Sequence, residues 1–472
     1  MASQHSSLLR RSFRPWRSVA ALIALAPALI AGLLCSPAFA EAAAPNCALY
    51  ASQTGNDSNP GTAAAPFATA KRLIGALGAG QTGCLTSGQT FAGFTLHGGD
   101  SHGAEGAPVT IASTNPAIPA TINTRIVTEA GADWLTFTHL AIVSDALSSN
   151  EDPSPTINST HTSWTYDDIS GGDLNICILP SQPSPWGAAE YTLVEHDRIH
   201  DCGRPVTKAE VEAQGNDIYE GRLNGWHAHG IYDDGFHTTV RNSYFYNNSA
   251  KGILLRGGSY ATIEHNVIDH NGSGVLFGDL GAAHDAVAWN IVTNSTSPCS
   301  RETTLCDAFG LWSYCPQASS CVEDSFTDND VFGNEDGNIA PSYDLCSCIE
   351  VKRNVEKDPL YVNAAGNDYR LRVGSPAVGY GPDTAQPVGA HIANVESAAP
   401  SSHVHGAEQR AKHGSSSRTT HSEGGKGAAA HGGTGSASHS TRAHSRHHAR
   451  THRRKHRHSA HRRHRRHHTR SH

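Results

Sequence analysis

Residues 240–248 read Val-Arg-Asn-Ser-Tyr-Phe-Tyr-Asn-Asn, and residues 263–271 and 287–295 repeat this pattern as Ile-Glu-His-Asn-Val-Ile-Asp-His-Asn and Val-Ala-Trp-Asn-Ile-Val-Thr-Asn-Ser. Each copy has an aliphatic residue first, Ser or Asn fourth, an apolar residue sixth and Asn or Ser ninth. The copies begin 23 and 24 residues apart. A repeat of this length, made of short strand-like runs and polar turns, is too short for a helical hairpin and predicts one coil of a β-solenoid.

Weaker copies of the same pattern extend the solenoid in both directions. They are Leu135 with Leu140; Trp164 with Asp167 and Ile169; Val194 with Asp197 and Ile199; and Phe326 with Asn329, Val331 and Asn334. Insertions at 204–226 and 298–321 interrupt the spacing, and a second short strand is predicted at 176–179, 230–232, 252–255, 274–277 and 309–312. The pattern therefore predicts about eight coils, spaced ~4.8 Å apart.

The asparagines of the repeat have a structural explanation. Asn tolerates the left-handed backbone conformation, and its amide can bond to neighbouring backbone, so one Asn per coil can stack into a ladder. We expect this role for Asn248, Asn266, Asn271, Asn290, Asn329 and Asn334. Residues that interrupt the repeat are consequently the better candidates for chemistry.

The two ends of the chain differ from the body. Residues 1–40 contain four arginines, an apolar run and a small-residue end at Ala40, which is the layout of a secretory signal peptide. Arg10-Arg11-Ser12-Phe13 loosely resembles a twin-arginine signal, so the export route stays open between the general secretory and twin-arginine pathways. We expect a β-helix domain over 41–390 and a disordered low-complexity tail over 391–472.

Charge is divided along the chain. Residues 41–390 hold forty acidic against sixteen basic residues, whereas residues 441–472 hold twelve Lys and Arg and no acid. The basic tail is expected to hold an anionic cell surface, or to fold onto the acidic body, by salt-sensitive attraction. We expect a secreted or surface-associated monomer with no transmembrane segment and no specific nucleic-acid partner.

Ten cysteines remain once the signal segment is excluded, and this number suits an oxidising compartment. Sequence alone does not fix their connectivity. Pairing of Cys47 with Cys84, and of Cys177 with Cys202, is compatible with the spacing. The Cys346-Ser347-Cys348 stretch offers only a weak zinc pattern.

The beginning and end of the body carry further motifs. Apolar residues at helical spacing predict a short amphipathic helix over about 67–78, which would cap the amino-terminal end of the solenoid. With the repeats, the motifs Gly-Asn-Asp-Ser-Asn-Pro-Gly-Thr at 55–62 and Asp-Pro-Leu-Tyr-Val at 358–362 resemble the secreted right-handed parallel β-helix proteins of the pectin-lyase-like superfamily. The resemblance implies an all-β fold. It leaves activity open, because the superfamily includes lyases, hydrolases, epimerases and non-enzymatic surface proteins.

Ionisable residues are densest at 226–237, Trp-His-Ala-His-Gly-Ile-Tyr-Asp-Asp-Gly-Phe-His, and at 251–256 one coil later. Aligning Gly230 with Gly252 and Gly274 stacks His229 on Lys251, Tyr232 on Leu254 and Asp234 on Arg256. Strand alternation then places Tyr232 on the outer face, with Asp234 and Arg256 beyond it.

This constellation contains the groups that β-elimination of a uronate polymer requires. Lys251 or Arg256 would act as base or charge clamp, and His229, Tyr232 or His237 would carry a further proton. Asp233 and Asp234 would hold Ca²⁺. The Asp-Asp-Gly-Phe-His stretch resembles a calcium motif of one β-helix pectate lyase family, but His237 stands where that family has a third Asp.

Two other interpretations stay open. Asp234 and Arg256 can form a structural ion pair, and the protein would then be a non-catalytic glycan-binding surface protein. Alternatively, Asp233 and Asp234 can serve a glycoside hydrolase as acid and base. The favoured hypothesis is a lyase that acts on an acidic polysaccharide, assisted by Ca²⁺.

Overall fold

A computed structural model of the chain describes residues 44–144, 153–171, 176–203, 209, 228–278, 282–296, 307–314, 322–342 and 345–383. The predicted signal segment and basic tail lie outside these residues, as do most of the two predicted insertions. The domain boundaries, the export signal and the role of the tail therefore stay predictions.

Short parallel strands form the solenoid, and each coil contributes one strand to each of several sheets. Within the described residues, the first sheet has eleven strands: Leu49–Ala51, Thr82–Leu85, Val109–Ser113, Leu135–Thr138, Thr162–Thr165, Leu193–Glu195, Thr239–Arg241, Thr262–Glu264, Ala286–Ala288, Asp324–Thr327 and Ile349–Lys352. The second sheet has nine: Thr90–Ala92, Ala120–Asn123, Leu140–Val143, Asp168–Ser170, Arg198–His200, Tyr244–Tyr246, Val267–Asp269, Ile291–Thr293 and Asp330–Phe332. The prediction of about eight coils is too low, because the pattern missed coils that lack its Asn residues.

A third sheet runs in two segments that a parallel bridge between Ile178 and Ile231 joins. The first segment comprises Thr95–Leu96, Val127–Thr128, Thr156–Ile157 and Leu179–Pro180. The second comprises Ile231–Asp233, Lys251–Leu255, Ser273–Phe277, Phe309–Ser313 and Gly337–Ile339. The predicted second strands of the repeat at 230–232, 252–255, 274–277 and 309–312 lie here.

Each inward position is occupied by the same kind of residue from coil to coil, which gives the core continuous apolar columns. In the first sheet, Phe137, Trp164, Val194 and Val240 are in register and fully buried. The Phe137 and Trp164 rings stack with centroids 4.2 Å apart. Burial of such columns is the main favourable contribution to folding, since each large side chain stabilises by about 1.5–3 kcal/mol.

The predicted asparagine ladder is present. Asn290 Nδ2 donates to Asn329 Oδ1 at 3.0 Å, and Asn266 Nδ2 donates to Asn290 Oδ1 at 2.9 Å. A second ladder joins Asn248 Nδ2 to Asn271 Oδ1 at 2.8 Å. These buried amides satisfy backbone groups at the turns, so their role is structural as predicted.

Towards the amino terminus, the positions of the first ladder are occupied by other polar residues in place of Asn. Ser243 takes the position before Asn266, and Asp197 and Asp167 take the two positions before that. The Asp197 Oδ1 atom accepts the Asp167 backbone N–H at 2.7 Å. Burial raises the pKa of both carboxyl groups well above the usual value.

The corners next to the first sheet carry stacked rings on left-handed backbone. Before its strands runs an entry ladder of six rings, with centroids 3.8–5.0 Å apart: Trp134, His161, Tyr191, His237, Tyr260 and His284. After its strands runs an exit column: His139, Tyr166, His196, Asn242, His265 and Trp289. Stacking offsets part of the cost of positive φ, which is about 1–2 kcal/mol per residue.

A helix covers the amino-terminal end of the solenoid, and a hairpin packs on its side. The predicted amino-terminal cap is a helix at Ala70–Ile74, shorter than expected, with Leu73 and Ile74 fully buried. Thr69 begins this helix, because its Oγ1 accepts the Arg72 backbone N–H at 3.1 Å. Near the other end, a hairpin of Tyr361–Asn363 and Asp368–Leu371, joined by a 3₁₀ turn at Ala364–Gly366, packs against the second sheet.

Two disulfides link the pairs that the sequence allowed, Cys47 with Cys84 and Cys177 with Cys202. Cys346 and Cys348 are also disulfide-bonded, which removes them as zinc ligands. Cys299, Cys306, Cys315 and Cys321 lie outside the described ranges. The helices of these ranges fall far short of the length needed to cross a lipid bilayer.

Replacing Cys177 and Cys202 together with alanine is expected to destabilise the protein by about 3 kcal/mol. The bridge joins neighbouring coils across the core, where both residues are fully buried, so it restricts the unfolded chain. Chemical denaturation measures the change. An unchanged midpoint, with no further loss when the wild-type protein is reduced, would contradict the expectation.

Candidate functional site

Most of the predicted site residues lie on or next to the strands of the third sheet, and the predicted register is confirmed. Ile231 pairs with Ile253, and Tyr232 pairs with Leu254. A Cβ on Gly230 would lie 2.6 Å from the Gly252 carbonyl oxygen, which explains the glycine column. Outward-facing Leu254, Leu276 and Trp312 form an apolar cluster on the same face, next to Tyr232.

Asp234 and Arg256 form an ion pair at the carboxyl end of the third-sheet strands, before the turn to the first sheet. The Arg256 Nη1 atom lies 3.3 Å from Asp234 Oδ2. The Arg256 guanidinium also lies over the Tyr232 ring, 5.3 Å from its centroid. This pair holds the guanidinium against an aromatic surface, an arrangement that suits either a structural role or a carboxylate clamp.

Asp233 faces the interior, in register with the buried Leu255. Its Oδ1 atom accepts the Gly235 N–H at 3.0 Å and the Thr238 hydroxyl at 2.9 Å, so it closes the turn. Burial raises the pKa of Asp233 to about 7, opposed by these hydrogen bonds and reinforced by the charge of Asp234. Sequence reasoning did not foresee this inward orientation.

The two carboxylates do not fit a shared calcium ion in this arrangement. Asp233 points inward and bonds to its own turn, whereas Asp234 engages Arg256. Within the described ranges, His, Cys, Asp and Glu side chains nowhere gather in threes that would suit a metal ion. Calcium binding by Asp233 and Asp234 stays a prediction, and a calorimetric titration with CaCl₂ tests it.

Lys251 begins its strand at the other end, beside His229. The Lys251 backbone N–H donates to His229 Nδ1 at 3.2 Å, and both residues are almost completely buried. Desolvation lowers the pKa of Lys251 to about 8, opposed by the negative charge of Asp307. The Lys251 ammonium lies 5.8 Å from the centre of the Trp312 ring. A lysine of this kind can act as a base in mildly alkaline solution.

The predicted residues do not all converge. Lys251 begins its strand and Arg256 directly follows the end of it, five positions on, which is about 16 Å of extended chain. Lys251 leans towards Trp312 of a later coil, while Arg256 leans towards Tyr232 of the preceding coil. Tyr232 links the two ends, because its ring centroid lies 5.4 Å from that of His229.

His237 lies apart from this cluster, in the entry ladder. Its ring stacks between those of Tyr191 and Tyr260, at centroid distances of 4.8 and 5.0 Å. The residue has a φ of +55°, as the corner requires. This stacking gives His237 a structural explanation that the sequence did not reveal, and its role as a proton carrier stays a prediction.

An open groove of about 460 Å³ extends from Asp234 along the first segment of the third sheet. Its lining includes Arg125, Glu129 and the exposed Trp186. Sequence reasoning missed these three residues, because none lies in a motif. Only the register of the coils places Val127, Thr156 and Leu179 side by side under the groove.

Comparisons with known proteins agree with this architecture. A model of the family described as "Right handed beta helix region" matches residues 206–355. No curated protein sequence matches the chain. The described coils and this match confirm the predicted handedness.

Three solved structures illustrate the likeness. Pectate lyase Pel9A is 14% identical over 73% of this chain and 90% of that chain, with a TM-score of 0.45. An alginate lyase from Paenibacillus sp. str. FPU-7 is 14% identical over 61% and 93%, with a TM-score of 0.43. GH136 lacto-N-biosidase from Eubacterium ramulus is 12% identical over 65% and 67%, with a TM-score of 0.38. These likenesses do not extend to activity. The coils and the family match show that this chain contains a right-handed parallel β-helix, the fold that its sequence predicts.

Proposed function

We propose that this protein cleaves a uronate-containing polysaccharide by β-elimination on the outer face of the third sheet. The observation that carries the proposal is Lys251, a buried lysine beside His229 whose pKa is lowered to about 8. Such a lysine loses its proton near neutral pH far more readily than an exposed one. It can therefore take the acidic proton next to a sugar carboxylate.

The elimination balances with groups that this chain supplies. Neutral Lys251 removes the proton from C5 of the uronate, the C5 electron pair forms a double bond to C4, and the C4–O bond to the leaving sugar breaks. The leaving oxygen takes up a proton. In neutral His229, Nδ1 accepts the Lys251 backbone N–H, so the proton resides on Nε2, and we propose that Nε2 gives this proton to the leaving oxygen.

Arg256 is proposed to bind a carboxylate of the same polymer at a different sugar residue. The ion pair with Asp234 and the contact with the Tyr232 ring hold the guanidinium in place. A preorganised guanidinium suits carboxylate recognition, because its planar fork matches the two oxygens. The groove beyond Asp234, with Arg125 and Trp186, would accept further sugar residues.

Export fits this proposal. A polymeric substrate of this kind is met outside the cell. The Cys47–Cys84 and Cys177–Cys202 disulfides suit an oxidising compartment. The predicted signal at 1–40 would deliver the protein there, and the predicted basic tail would retain it at an anionic surface.

The test is a panel of pectin, polygalacturonate, alginate and glycosaminoglycans, incubated with the full-length mature protein with Ca²⁺ or with a chelator. We expect unsaturated uronate ends, detected by their ultraviolet absorbance, from at least one polymer. Absence of product from every polymer would refute the lyase proposal. Equal rates with Ca²⁺ and with the chelator would refute calcium assistance alone.

Non-catalytic glycan binding is the second candidate, and the open groove with its exposed Trp186 favours it. An exposed aromatic ring beside a polar groove is a surface on which a sugar ring can stack. Retarded migration of the protein in gels that contain one of these polymers, without release of product, would support this candidate. The hydrolase interpretation gains no such support, because Asp233 faces the interior.

A further inference from the structure

A second pocket of about 400 Å³ lies between the outer face of the second sheet and the carboxy-terminal hairpin. It shares no lining residue with the groove of the third sheet. The residues on which the argument rests are Tyr166, His196, Arg198, Asn242, Tyr244 and Tyr369. The pocket is therefore a separate candidate for ligand binding.

The pocket opens where the exit column lacks a ring. His139 and Tyr166 stack at 5.0 Å, and Tyr166 and His196 stack at 4.6 Å. The next position is Asn242, whose short side chain leaves the space that a ring would fill. One face of the His196 ring is thus directed towards this space. A flat ligand of the size of one ring would continue the stack.

The chemistry around this space is that of an acidic sugar site. Arg198 is exposed on the second sheet, where its charge helps to lower the pKa of Asp168, and among the described residues its side chain makes no hydrogen bond or ion pair. Its neighbour Asp168 is engaged by His200 Nε2 at 2.9 Å. Tyr244 and Tyr369 close the other side with rings 5.7 Å apart. An available guanidinium next to aromatic rings binds a carboxylate on a ring-shaped ligand.

We propose that this pocket binds one uronate residue of an acidic saccharide, with the sugar face on His196 at the Asn242 position and the carboxylate at Arg198. The inference goes beyond the proposed lyase function and does not depend on it. The residue can be a free uronate or part of a polymer chain. Ligands of different length distinguish these two sources.

Two variants test the pocket in the full-length mature protein. Asn242→Tyr fills the space with a ring, and Tyr166 shows that this corner accepts tyrosine, since its φ of +57° is close to the +53° of Asn242. Arg198→Gln removes the charge and leaves the space. The matched control is Arg353→Gln, which changes an exposed arginine in the corner position after a first-sheet strand, outside the pocket.

Calorimetry and ligand-observed NMR would use glucuronate, galacturonate, mannuronate and their tetrasaccharides, with galactose as the neutral sugar. We expect uronate binding that both variants weaken about tenfold or more and the control leaves unchanged. If the monomers bind, a free uronate is a sufficient ligand for the pocket. If the tetrasaccharides bind and the monomers do not, the ligand is a residue of a polymer chain. Thermal unfolding confirms that each variant is folded.

Three results would overturn the proposal: no binding of any uronate by the wild-type protein, equal binding of galactose and galacturonate, or unchanged binding in both variants. Polymer cleavage is measured in the same variants and is expected to stay at the wild-type rate. Failure of the lyase proposal and failure of this one are therefore read from separate measurements.

Discussion

Replacing Lys251 with methionine is expected to lower kcat/KM on the cleaved polymer by about 10²- to 10⁴-fold, the usual contribution of a positioned base. Methionine keeps most of the volume of the buried side chain and removes the titrating group, so the melting temperature should fall little. The matched control is Lys352→Met, which changes an exposed lysine of the first sheet. Retained activity in Lys251→Met would show that another group is the base.

The same assignment fixes the pH dependence. Only the neutral amine accepts a proton, so the rate should rise with pH and level off above a pKa of about 8. An ordinary lysine would move this rise to about pH 10.4. A pH profile of kcat/KM checks the position of the rise. A rate that is constant or declines between pH 6 and 9 would contradict the role of Lys251.

Replacing Asp197 with asparagine is expected to stabilise the protein at pH 8 by about 1 kcal/mol or more. Asp197 occupies an asparagine-ladder position, where its Oδ2 atom is buried with no hydrogen-bond partner among the described residues. An amide there would keep the acceptor for the Asp167 N–H and add a donor, as Asn266 Nδ2 donates to the Val240 carbonyl oxygen at 2.9 Å. It would also remove a carboxyl group whose pKa burial raises well above the usual value and which is therefore costly to ionise.

The sign of the pH effect follows from the raised pKa. The folded protein keeps the Asp197 proton at pH values where the unfolded chain has released it, so this carboxyl group favours folding fully only below about pH 3.9. Its contribution is lost as pH rises through the folded pKa. The gain from Asp197→Asn should therefore be large at pH 8 and small at pH 4. Calorimetric unfolding at the two pH values measures this difference.

Asp328→Asn is the control with the opposite sign. A hydrogen bond from Arg353 lowers the pKa of Asp328 at the surface, so asparagine should slightly destabilise the protein at pH 8. If Asp197→Asn is less stable than the wild-type protein at pH 8, or gains equally at pH 4, the buried acid does not behave as inferred.

The sequence predicted the fold because its repeat encodes register directly. Once Gly230, Gly252 and Gly274 were aligned, the pairs Tyr232 with Leu254 and Asp234 with Arg256 followed. The sequence pattern did not predict the coils around Thr82–Leu85 and Val109–Ser113, because they bury apolar residues without the Asn signature of the later coils. Backbone pairing needs no particular side chain, so such coils leave only a weak pattern.

The candidate site was predicted less completely. Register places residues on the same face, but it does not say in which direction a long side chain leans. Lys251 leans towards Trp312 and Arg256 towards Tyr232, and these opposite directions separate the two charged groups. Parity alone would have shown that Asp233 points inward with Ile231. Arg125 and Trp186 join the groove through coils far apart in sequence, and no local motif marks them.

The stacked rings of the entry ladder also provide an intrinsic spectroscopic signal of the folded chain. Trp134 lies at one end of a row in which its indole stacks on His161, and Tyr191 follows. Rings this close share their electronic transitions, and a protonated imidazole quenches the emission of a neighbouring indole. The near-ultraviolet circular dichroism of the chain should therefore include a contribution from this stacked row, and loss of that contribution would report opening of the coils without an attached label.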